Sequence, residues 1–476
     1  MSNLSDLIPA GGGQNNTDFV ADGGITSGKP VILTAAGKAA PISGVIEAVT
    51  SPVTLSASVD PSSIASAYGN GKILTVYHDA DSPYTAYGIV GTISGGAITY
   101  GTAVALADTM DYFASAGISY DSANDVFVIC YCGGSGDYAT GVVATVSGTS
   151  VSYGTPVVVA SYSSREGNCG YDVNEGKTVL AWTHYSNENG YAAVGTVSGT
   201  SLSYGTEVVF PTPPDAMYRA KGIVYDANAQ KLVLAWSETV GYIVVLSISG
   251  TTLSYGTPVQ FSTGTASFET LAYDSVAQKC VLTWADSGAG GVARVVTVSG
   301  TTITLGTVVS YEASNAQYQG IAYDISADRT VISYTVGSTA EQYVSTGAVS
   351  GTDISFSTAL NYVSGHNRPT DAVYDPVAER VNVNYGTSST TLALVLTTGY
   401  SNLTASNLLG IASGAILDTA TGTINTWGSR NQVQTGLTIA SDYYAQDDGT
   451  ITTSDGGQLL GKALSATQIN IKDYTG

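Results

Sequence analysis

The chain has 476 residues, of which 43% are hydrophobic and only 11% charged, with 56 Gly and 32 Tyr. This composition suits many short strands joined by tight turns and is atypical of long helices. The formal net charge of -21 repels phosphate backbones and anionic membranes, so neither a nucleic-acid partner nor membrane insertion is expected.

The N-terminal stretch 1–16 contains three consecutive glycines and lacks the basic and apolar regions of a signal peptide. It predicts a flexible or docking peptide on an unexported chain. The following stretch, 17–47, alternates apolar and polar residues between Gly and Asp turns. This alternation predicts short strands.

A repeat begins after residue 48. A Ser-Gly turn between two apolar runs returns six times, at intervals of 50 to 53 residues; its serines are Ser94, Ser147, Ser198, Ser249, Ser299 and Ser350. A fixed period of this length indicates a propeller or a solenoid. Solenoid coils are shorter than this period, which favours the propeller.

Two further columns of residues have seven members each. Seven short apolar runs each end at an aromatic residue. These residues are Tyr77, Tyr131, Trp182, Trp236, Trp284, Tyr334 and Tyr385. About ten residues earlier stand Tyr68, Tyr120, Tyr171, Tyr225, Tyr273, Tyr323 and Tyr374, each followed by Asp except the first, which Gly69 follows. We expect the aromatic residues at the strand ends to pack between repeats. We expect the aspartates to accept hydrogen bonds from turn amides.

Each repeat therefore contains four strands, A to D, as in a propeller blade. The seventh repeat stops at 392–399 without its last strand, and 49–56 is similar to the last strand 152–159 of the second repeat. The sequence thus predicts a seven-bladed propeller over 48–399, closed by 49–56. Closure removes two exposed sheet edges.

The Ser-Gly-Thr and Tyr-Asp turns are uniform, whereas the D-to-A and B-to-C connections all differ. Varied loops on a rigid scaffold often carry recognition, although unconstrained loops also diverge. Aromatic and basic residues of these connections are predicted to bind a ligand, because aromatic faces stack on sugar rings. They are Tyr112, Phe113, Arg165, Tyr218, Arg219, Phe268, Tyr318 and Arg368, with Glu166, Glu269 and Asp371 nearby. Packing between blades is the alternative role of the aromatic residues.

No catalytic residue, cofactor or metal site is predicted. The three histidines His78, His184 and His366 fall in different repeats, and no G-x-S-x-G, H-E-x-x-H or Walker A motif occurs. The acidic pairs Asp79 with Asp81 and Asp447 with Asp448 do not match an EF-hand. A carboxylate pair of a glycosidase leaves no linear signature, so that class stays open. The four cysteines form no C-x-x-C pair and are expected to be free buried thiols: Cys130, Cys132, Cys169 and Cys280.

Short motifs of a similar kind occur at both ends of the chain. They are G-K-P-V-I-L-T-A-A-G-K near the start, and L-L-G-I-A, G-L-T-I-A-S-D-Y-Y and L-L-G-K-A-L-S in 400–476. These motifs resemble the small β domains of tailed-phage virion proteins. The resemblance implies that 17–47 and 400–476 form one small β-barrel-like stalk that trimerises, and that the chain has a structural role in a virion. The expected fold is all-β, with a seven-bladed propeller inserted in this stalk.

Both connections to the stalk are expected to leave the propeller on the edge that carries the C-to-D turns, which leaves the other edge free. The predicted function is attachment to a host-surface glycan or protein, as a tail fibre or receptor-binding protein in the virion. The stalk or N-terminus is expected to contact other virion proteins. A capsid decoration or head-fibre protein is the alternative, and a polysaccharide depolymerase is a further one.

Overall fold

The structure is a computed structural model that describes residues 15–34, 36–42, 45–56, 61–79, 84–109, 116–211, 222–237, 239–366, 368–387, 390–399, 403, 407–446, 449–453 and 458–472. Within these ranges every named element is a β-strand, and no helix has the length and apolarity needed to span a membrane. The chain divides into two compact units: Ile46–Thr398, and the residues up to Val45 together with those from Gly399.

The larger unit consists of seven antiparallel four-stranded blades. The A strands, innermost, are Pro61–Gly69, Gly117–Asp121, the second half of Val157–Asp172, Gly222–Asp226, Ala266–Asp274, Ala316–Asp324 and Thr370–Asp375. The B strands are Lys72–Asp79, Val126–Gly133, Lys177–His184, Lys231–Ser237, Lys279–Asp286, Arg329–Val336 and Arg380–Gly386. The C strands are Thr85–Ser94, Tyr138–Ser147, Gly190–Ser198, Gly241–Ser249, Gly290–Ser299, Glu341–Ser350 and Thr391–Gly399.

Each D strand is split into two pieces that pair with the same C strand. In blades 1 to 6 the pieces are Ala97–Tyr100 and Val104–Thr109, Ser150–Tyr153 and the first half of Val157–Asp172, Ser201–Tyr204 and Val208–Val209, Thr252–Tyr255 and Val259–Gln260, Thr302–Leu305 and Val309–Glu312, and Asp353–Phe356 and Leu360–Val363. We call the edge with the A-to-B and C-to-D turns the turn edge. The opposite edge, with the D-to-A and B-to-C connections, is the loop edge.

Blade 7 takes its D strand from the start of the chain, as predicted. Val45–Val49 and Val53–Ser56 both pair with Thr391–Gly399. The Thr50 amide donates to the Val395 carbonyl over 3.0 Å. Leu55 is buried in the same cluster as Ile64 of blade 1. The ring is therefore closed by a strand far away in sequence.

Aromatic residues at the ends of the B strands pack against the preceding blade, as predicted. Ring centroids lie 5.0 Å apart for Phe261 and Trp284, and 5.2 Å apart for Tyr362 and Tyr385. In each pair the first residue follows or belongs to a D strand and the second ends the B strand of the next blade. Large rings thus fill the space between blades.

The A-to-B turns use the Tyr-Asp motif as expected. Oδ1 of Asp274 accepts hydrogen bonds from the amides of Val276, 3.0 Å, and Ala277, 2.8 Å. Blade 1 has a two-residue turn instead, in which Asn70 and Gly71 have φ of 47° and 75°, as a type I′ turn requires. This shorter turn explains why no Asp is needed after Tyr68.

The smaller unit combines both ends of the chain in two five-stranded sheets. The first contains, in spatial order, Asn16–Val20, Thr421–Asn425, Leu408–Ala412, Pro30–Leu33 and Ala39–Pro41. The second contains Arg430–Asn431, Gln468–Ile471, Gln458–Ser465, Asp442–Ala445 and Ile451–Thr452. Side chains of both sheets share one apolar core that includes Ile32, Ile411, Leu460 and Ile469.

Candidate ligand-binding site

Four of the eight predicted ligand-binding residues lie outside the described residues: Tyr112, Phe113, Tyr218 and Arg219. The other four, Arg165, Phe268, Tyr318 and Arg368, are all near the loop edge, at or beside the start of an A strand. The structure does not bring these four into one cluster. They separate into residues that pack inside the propeller and one residue, Arg165, that belongs to an exposed group.

Phe268 and Tyr318 occupy equivalent bulges in the A strands of blades 5 and 6. Both have positive φ, 58° and 50°, and the pairing register with the B strand shifts at each bulge. Their ring centroids are 5.0 Å apart, and Phe268 is only 8% exposed. Phe268 therefore packs against the neighbouring blade, which is the alternative role considered for these aromatic residues.

Arg368 and Glu269 contribute to the hydrogen bonding of the propeller interior. The Arg368 carbonyl accepts from Thr335 Oγ1 over 2.9 Å and from Gln342 Nε2 over 3.2 Å. Glu269 is fully buried, and its Oε2 accepts from Ser237 Oγ over 2.7 Å. These contacts link adjacent blades.

Arg165 lies in the long strand Val157–Asp172, which runs from the D position of blade 2 into the A position of blade 3 without a break. The stretch 160–166 contains three serines but no Gly, Pro, Asn or Asp, and these four residue types are among those that dominate turns. Its extended backbone carries Tyr162 and Arg165 along the loop edge, beside the end of the B strand of blade 3.

The partly exposed group around Arg165 is called the rim cluster; it consists of Tyr162, Arg165, His184, Tyr185, Tyr191 and Glu207. Tyr185 follows the B strand of blade 3 and is 49% exposed. The guanidinium carbon of Arg165 lies 3.8 Å from the centroid of the Tyr185 ring. This cation–π contact holds one face of the ring and restrains its orientation.

His184 forms the middle of the rim cluster. Its ring stacks on Tyr162 with centroids 4.2 Å apart and an interplanar angle of 22°. Nδ1 accepts the backbone N–H groups of Ser186, 3.0 Å, and Asn187, 3.4 Å. An accepting Nδ1 places the proton of the neutral ring on Nε2. No described residue accepts from Nε2, so this N–H is available to a ligand.

The hydroxyl of Tyr162 connects the stack to a carboxylate. It donates to Glu207 Oε2 over 2.8 Å and accepts from Trp182 Nε1 over 3.2 Å. Burial raises the pKa of Tyr162 well above its ordinary value, so the hydroxyl remains a donor at neutral pH. Glu207 itself is exposed, and its carboxylate has further capacity to accept hydrogen bonds from a ligand.

Together these side chains offer an aromatic face, an N–H donor and a carboxylate acceptor on one exposed surface. Sugar rings need this combination, because they present apolar C–H faces bordered by hydroxyls. Of the rim cluster, sequence reasoning selected Arg165 as a ligand-binding residue and considered His184 only as a possible catalytic residue. Sequence reasoning missed the other four residues, because they lie outside the two sets of seven repeated aromatic residues. These four are Tyr162, Tyr185, Tyr191 and Glu207. The sequence feature that points to this part of the loop edge is the divergent B-to-C connection 184–193.

No group of three or more His, Cys, Asp or Glu side chains suited to a metal ion occurs among the described residues. The side chains of Asp79, Asp81, Asp447 and Asp448 lie outside them. All four cysteines are free and buried, as predicted. Burial raises the pKa of Cys169 to about 12, so its thiol stays protonated and unreactive at neutral pH.

No family model matches the sequence, and no curated protein matches it either. Among solved structures, a protein from Lactobacillus plantarum is similar over 71% of this chain and 95% of its own, with 14% identity and a TM-score of 0.47. The β-propeller domain of Myceliophteria thermophila Cps50 (Swd1) is similar over 72% of this chain and 99% of its own, with 10% identity and a TM-score of 0.47. Both similarities concern the fold alone.

Proposed function

We propose that the protein is a structural component of a tailed-phage virion that binds a host-surface glycan, without turnover, through the loop edge of its propeller. The observation that carries the binding part is Tyr185, a half-exposed aromatic ring fixed from one side by Arg165. A ring that is already ordered loses little side-chain entropy when a sugar stacks on it. The virion part rests on the resemblance of the two chain ends to small β domains of phage proteins.

The surroundings of Tyr185 support a polyhydroxylated ligand. His184 Nε2 is a donor, and Glu207 is an exposed acceptor. One ligand hydroxyl can therefore accept a hydrogen bond from His184, and another can donate one to Glu207. The propeller supplies a rigid base, because the rim cluster is built on strands of two blades joined in one sheet. Rigid placement of a few polar groups around an aromatic face favours selective binding of one sugar arrangement.

The chain connections support exposure of the loop edge. The chain enters the propeller at the start of Val45–Val49 and leaves it at the end of Thr391–Gly399. By comparison with the other blades, both points lie on the turn edge, where each C strand ends and each D strand begins. A partner that contacts the propeller at these two points would leave the loop edge accessible.

The binding proposal is tested by applying the purified full-length protein to an array of bacterial surface glycans. We expect selective binding that falls roughly tenfold in Tyr185→Ala, the scale of one aromatic contact, and persists in Tyr185→Phe. Val377→Ala, at a 79% exposed position on the turn edge, is the matched control. Absence of binding to every glycan, or equal binding by Tyr185→Ala, would contradict the proposal.

The same samples separate binding from depolymerisation. Bound polysaccharide is incubated with the protein and analysed by mass spectrometry for released oligosaccharides. The proposal predicts an unchanged polymer. Release of fragments in proportion to protein concentration would show that the protein is a depolymerase and not a binding protein without turnover.

A further inference from the structure

A cavity of about 150 Å³ lies inside the propeller, surrounded by the A strands. All seven blades contribute to its wall, so it occupies the axis of the ring. Seven residues with hydroxyl, amide or carboxyl side chains line it: Ser63, Ser66, Asn168, Thr270, Gln319, Thr370 and Asp371. Liquid water occupies about 30 Å³ per molecule, so the cavity has room for a small ion with part of its hydration shell.

Gln319 presents an unpaired acceptor to this cavity. The residue is only 5% exposed, and its Nε2 donates to the Ala316 carbonyl over 3.1 Å. Its Oε1 has no hydrogen-bond partner among the described residues. A buried carbonyl oxygen without a hydrogen-bond donor is destabilising. Such an atom in a polar cavity indicates a bound ligand that can accept a lone pair, as a cation does.

Asp371 lies beside Gln319 on the same wall. The A strands of blades 6 and 7 approach so closely at Gly320, the residue after Gln319, that an added Cβ would meet the Asp371 backbone at 2.5 Å. Among the described lining residues Asp371 is the one carboxylate, and none of these residues is Lys or Arg. The wall between blades 6 and 7 therefore combines one formal negative charge with a neutral carbonyl oxygen.

We propose that this cavity binds one hydrated divalent cation, with Asp371 and Gln319 Oε1 as its protein ligands. Ca²⁺ and Mg²⁺ both prefer carboxylate and amide oxygens and retain waters where protein ligands are few. The hydroxyls of Ser63 and Thr270 and the amide of Asn168 supply partners for the retained waters. The net charge of -21 raises the local concentration of cations around the protein. The proposal is independent of the rim cluster and of glycan binding.

The first test is equilibrium dialysis of the full-length protein against ⁴⁵Ca²⁺. We expect one saturable ion per chain, with a dissociation constant of about 0.1–1 mM, as in sites with few charged ligands. Asp371→Asn should weaken binding at least tenfold. Asp353→Asn, at an exposed position on the turn edge of blade 6, should leave binding unchanged. Equal weakening in both variants would show a general charge effect and overturn the proposal.

The second test is a gain of affinity, which a misfolded variant cannot mimic. Gln319→Glu adds a second carboxylate of nearly the same size, and we expect it to bind ⁴⁵Ca²⁺ about tenfold more tightly. At 10 mM CaCl₂ or MgCl₂, relative to NaCl of equal ionic strength, the wild-type Tm should rise by about 1–3 °C. No saturable ion in the wild type, or no gain in Gln319→Glu, would overturn the cation site.

Discussion

The Tyr-Gly-Thr and Ser-Gly-Thr motifs recur because they meet in space. The glycine after each Tyr, or after Leu305 in blade 5, lies against the carbonyl of the Thr in the C-to-D turn of the next blade, and an added Cβ would overlap that oxygen. The pairs are Gly101 with Thr149, Gly154 with Thr200, Gly205 with Thr251, Gly256 with Thr301 and Gly306 with Thr352. In blade 6 the equivalent residue is Ser357, and the next blade has no C-to-D turn because its D strand comes from the chain start.

A methyl group at one of these glycines should therefore destabilise the ring. We expect Gly205→Ala to lower the free energy of unfolding by about 1–3 kcal/mol, the usual scale of overpacking. Gly288→Ala, where an added Cβ would meet only Asp286 Oδ1 at 3.6 Å, should change it by less than about 0.5 kcal/mol. Urea unfolding followed by fluorescence gives both values. Equal stability of Gly205→Ala and wild type would contradict the proposed contact.

The turn aspartates make stability depend on pH. Burial raises the pKa of Asp172, Asp226 and Asp274 above the ordinary value. A raised folded-state pKa means that the stabilising contribution is complete below the unfolded-state pKa and is lost as the pH rises through the folded-state pKa. These three carboxyls therefore lower stability at neutral pH relative to acid.

Asp226→Asn removes one such group while keeping an Oδ1 acceptor for the Ala229 amide, which lies 2.8 Å away. We expect the urea midpoint of this variant to fall less than that of the wild type between pH 4 and pH 7. Val377→Ala, a change at an exposed residue without a titratable group, is the control and should leave the pH profile unchanged. A steeper fall in Asp226→Asn would contradict a destabilising effect of the buried Asp226 carboxyl at neutral pH.

At the scale of elements, the interface between blades 7 and 1 differs from the interface between blades 4 and 5. Asn384 is fully buried at a position that is Ala235 in blade 4. Its Nδ2 donates to Ser66 Oγ, 2.8 Å, and Thr75 Oγ1, 3.2 Å, and its Oδ1 accepts from Tyr100, 3.0 Å. A buried network of this kind is satisfied only when the correct surfaces meet.

We expect Asn384→Ala to lower the free energy of unfolding by about 2–4 kcal/mol, because the hydroxyls of Ser66, Thr75 and Tyr100 each lose a hydrogen-bond partner. Asn174→Ala, in an exposed A-to-B turn, is the matched control and should have little effect. Chemical denaturation measures both. A loss under about 0.5 kcal/mol in Asn384→Ala would show that the network does not hold the ring closed.

Most elements were predictable because each blade repeats the same local chemistry. The Tyr-Asp turns, the aromatic ends of the B strands and the closing strand 49–56 follow from matching columns within one sequence. The split of each D strand and the continuous strand Val157–Asp172 were not predicted. The latter lies in a short connection without Gly, Pro, Asn or Asp. Its consequence, the rim cluster, arises only when Arg165 meets Tyr185 and Tyr162 meets His184, which come from separate segments.

At the scale of the whole molecule, we propose that the smaller unit makes the protein a trimer. Ile439 and Leu464 are 64% and 43% exposed, and the Ala440 amide donates to the Ala463 carbonyl over 2.9 Å, so the two apolar side chains lie on adjacent segments. Exposed apolar neighbours favour burial in an interface.

Light scattering coupled to size exclusion should give three times the monomer mass for the wild type. The double change Ile439→Ser with Leu464→Ser should give the monomer, whereas Val377→Ala should stay trimeric. A monomeric wild type at micromolar concentration would contradict the trimer.

The most direct measurement is immunoelectron microscopy of phage particles purified from lysates that contain this chain, with an antibody against residues 46–398. We expect label on the outer surface of the particle, at the tail for a host-attachment protein, and we expect the antibody to block adsorption to host cells. Label over the head would favour the capsid decoration alternative. Particles without any label would contradict a virion role.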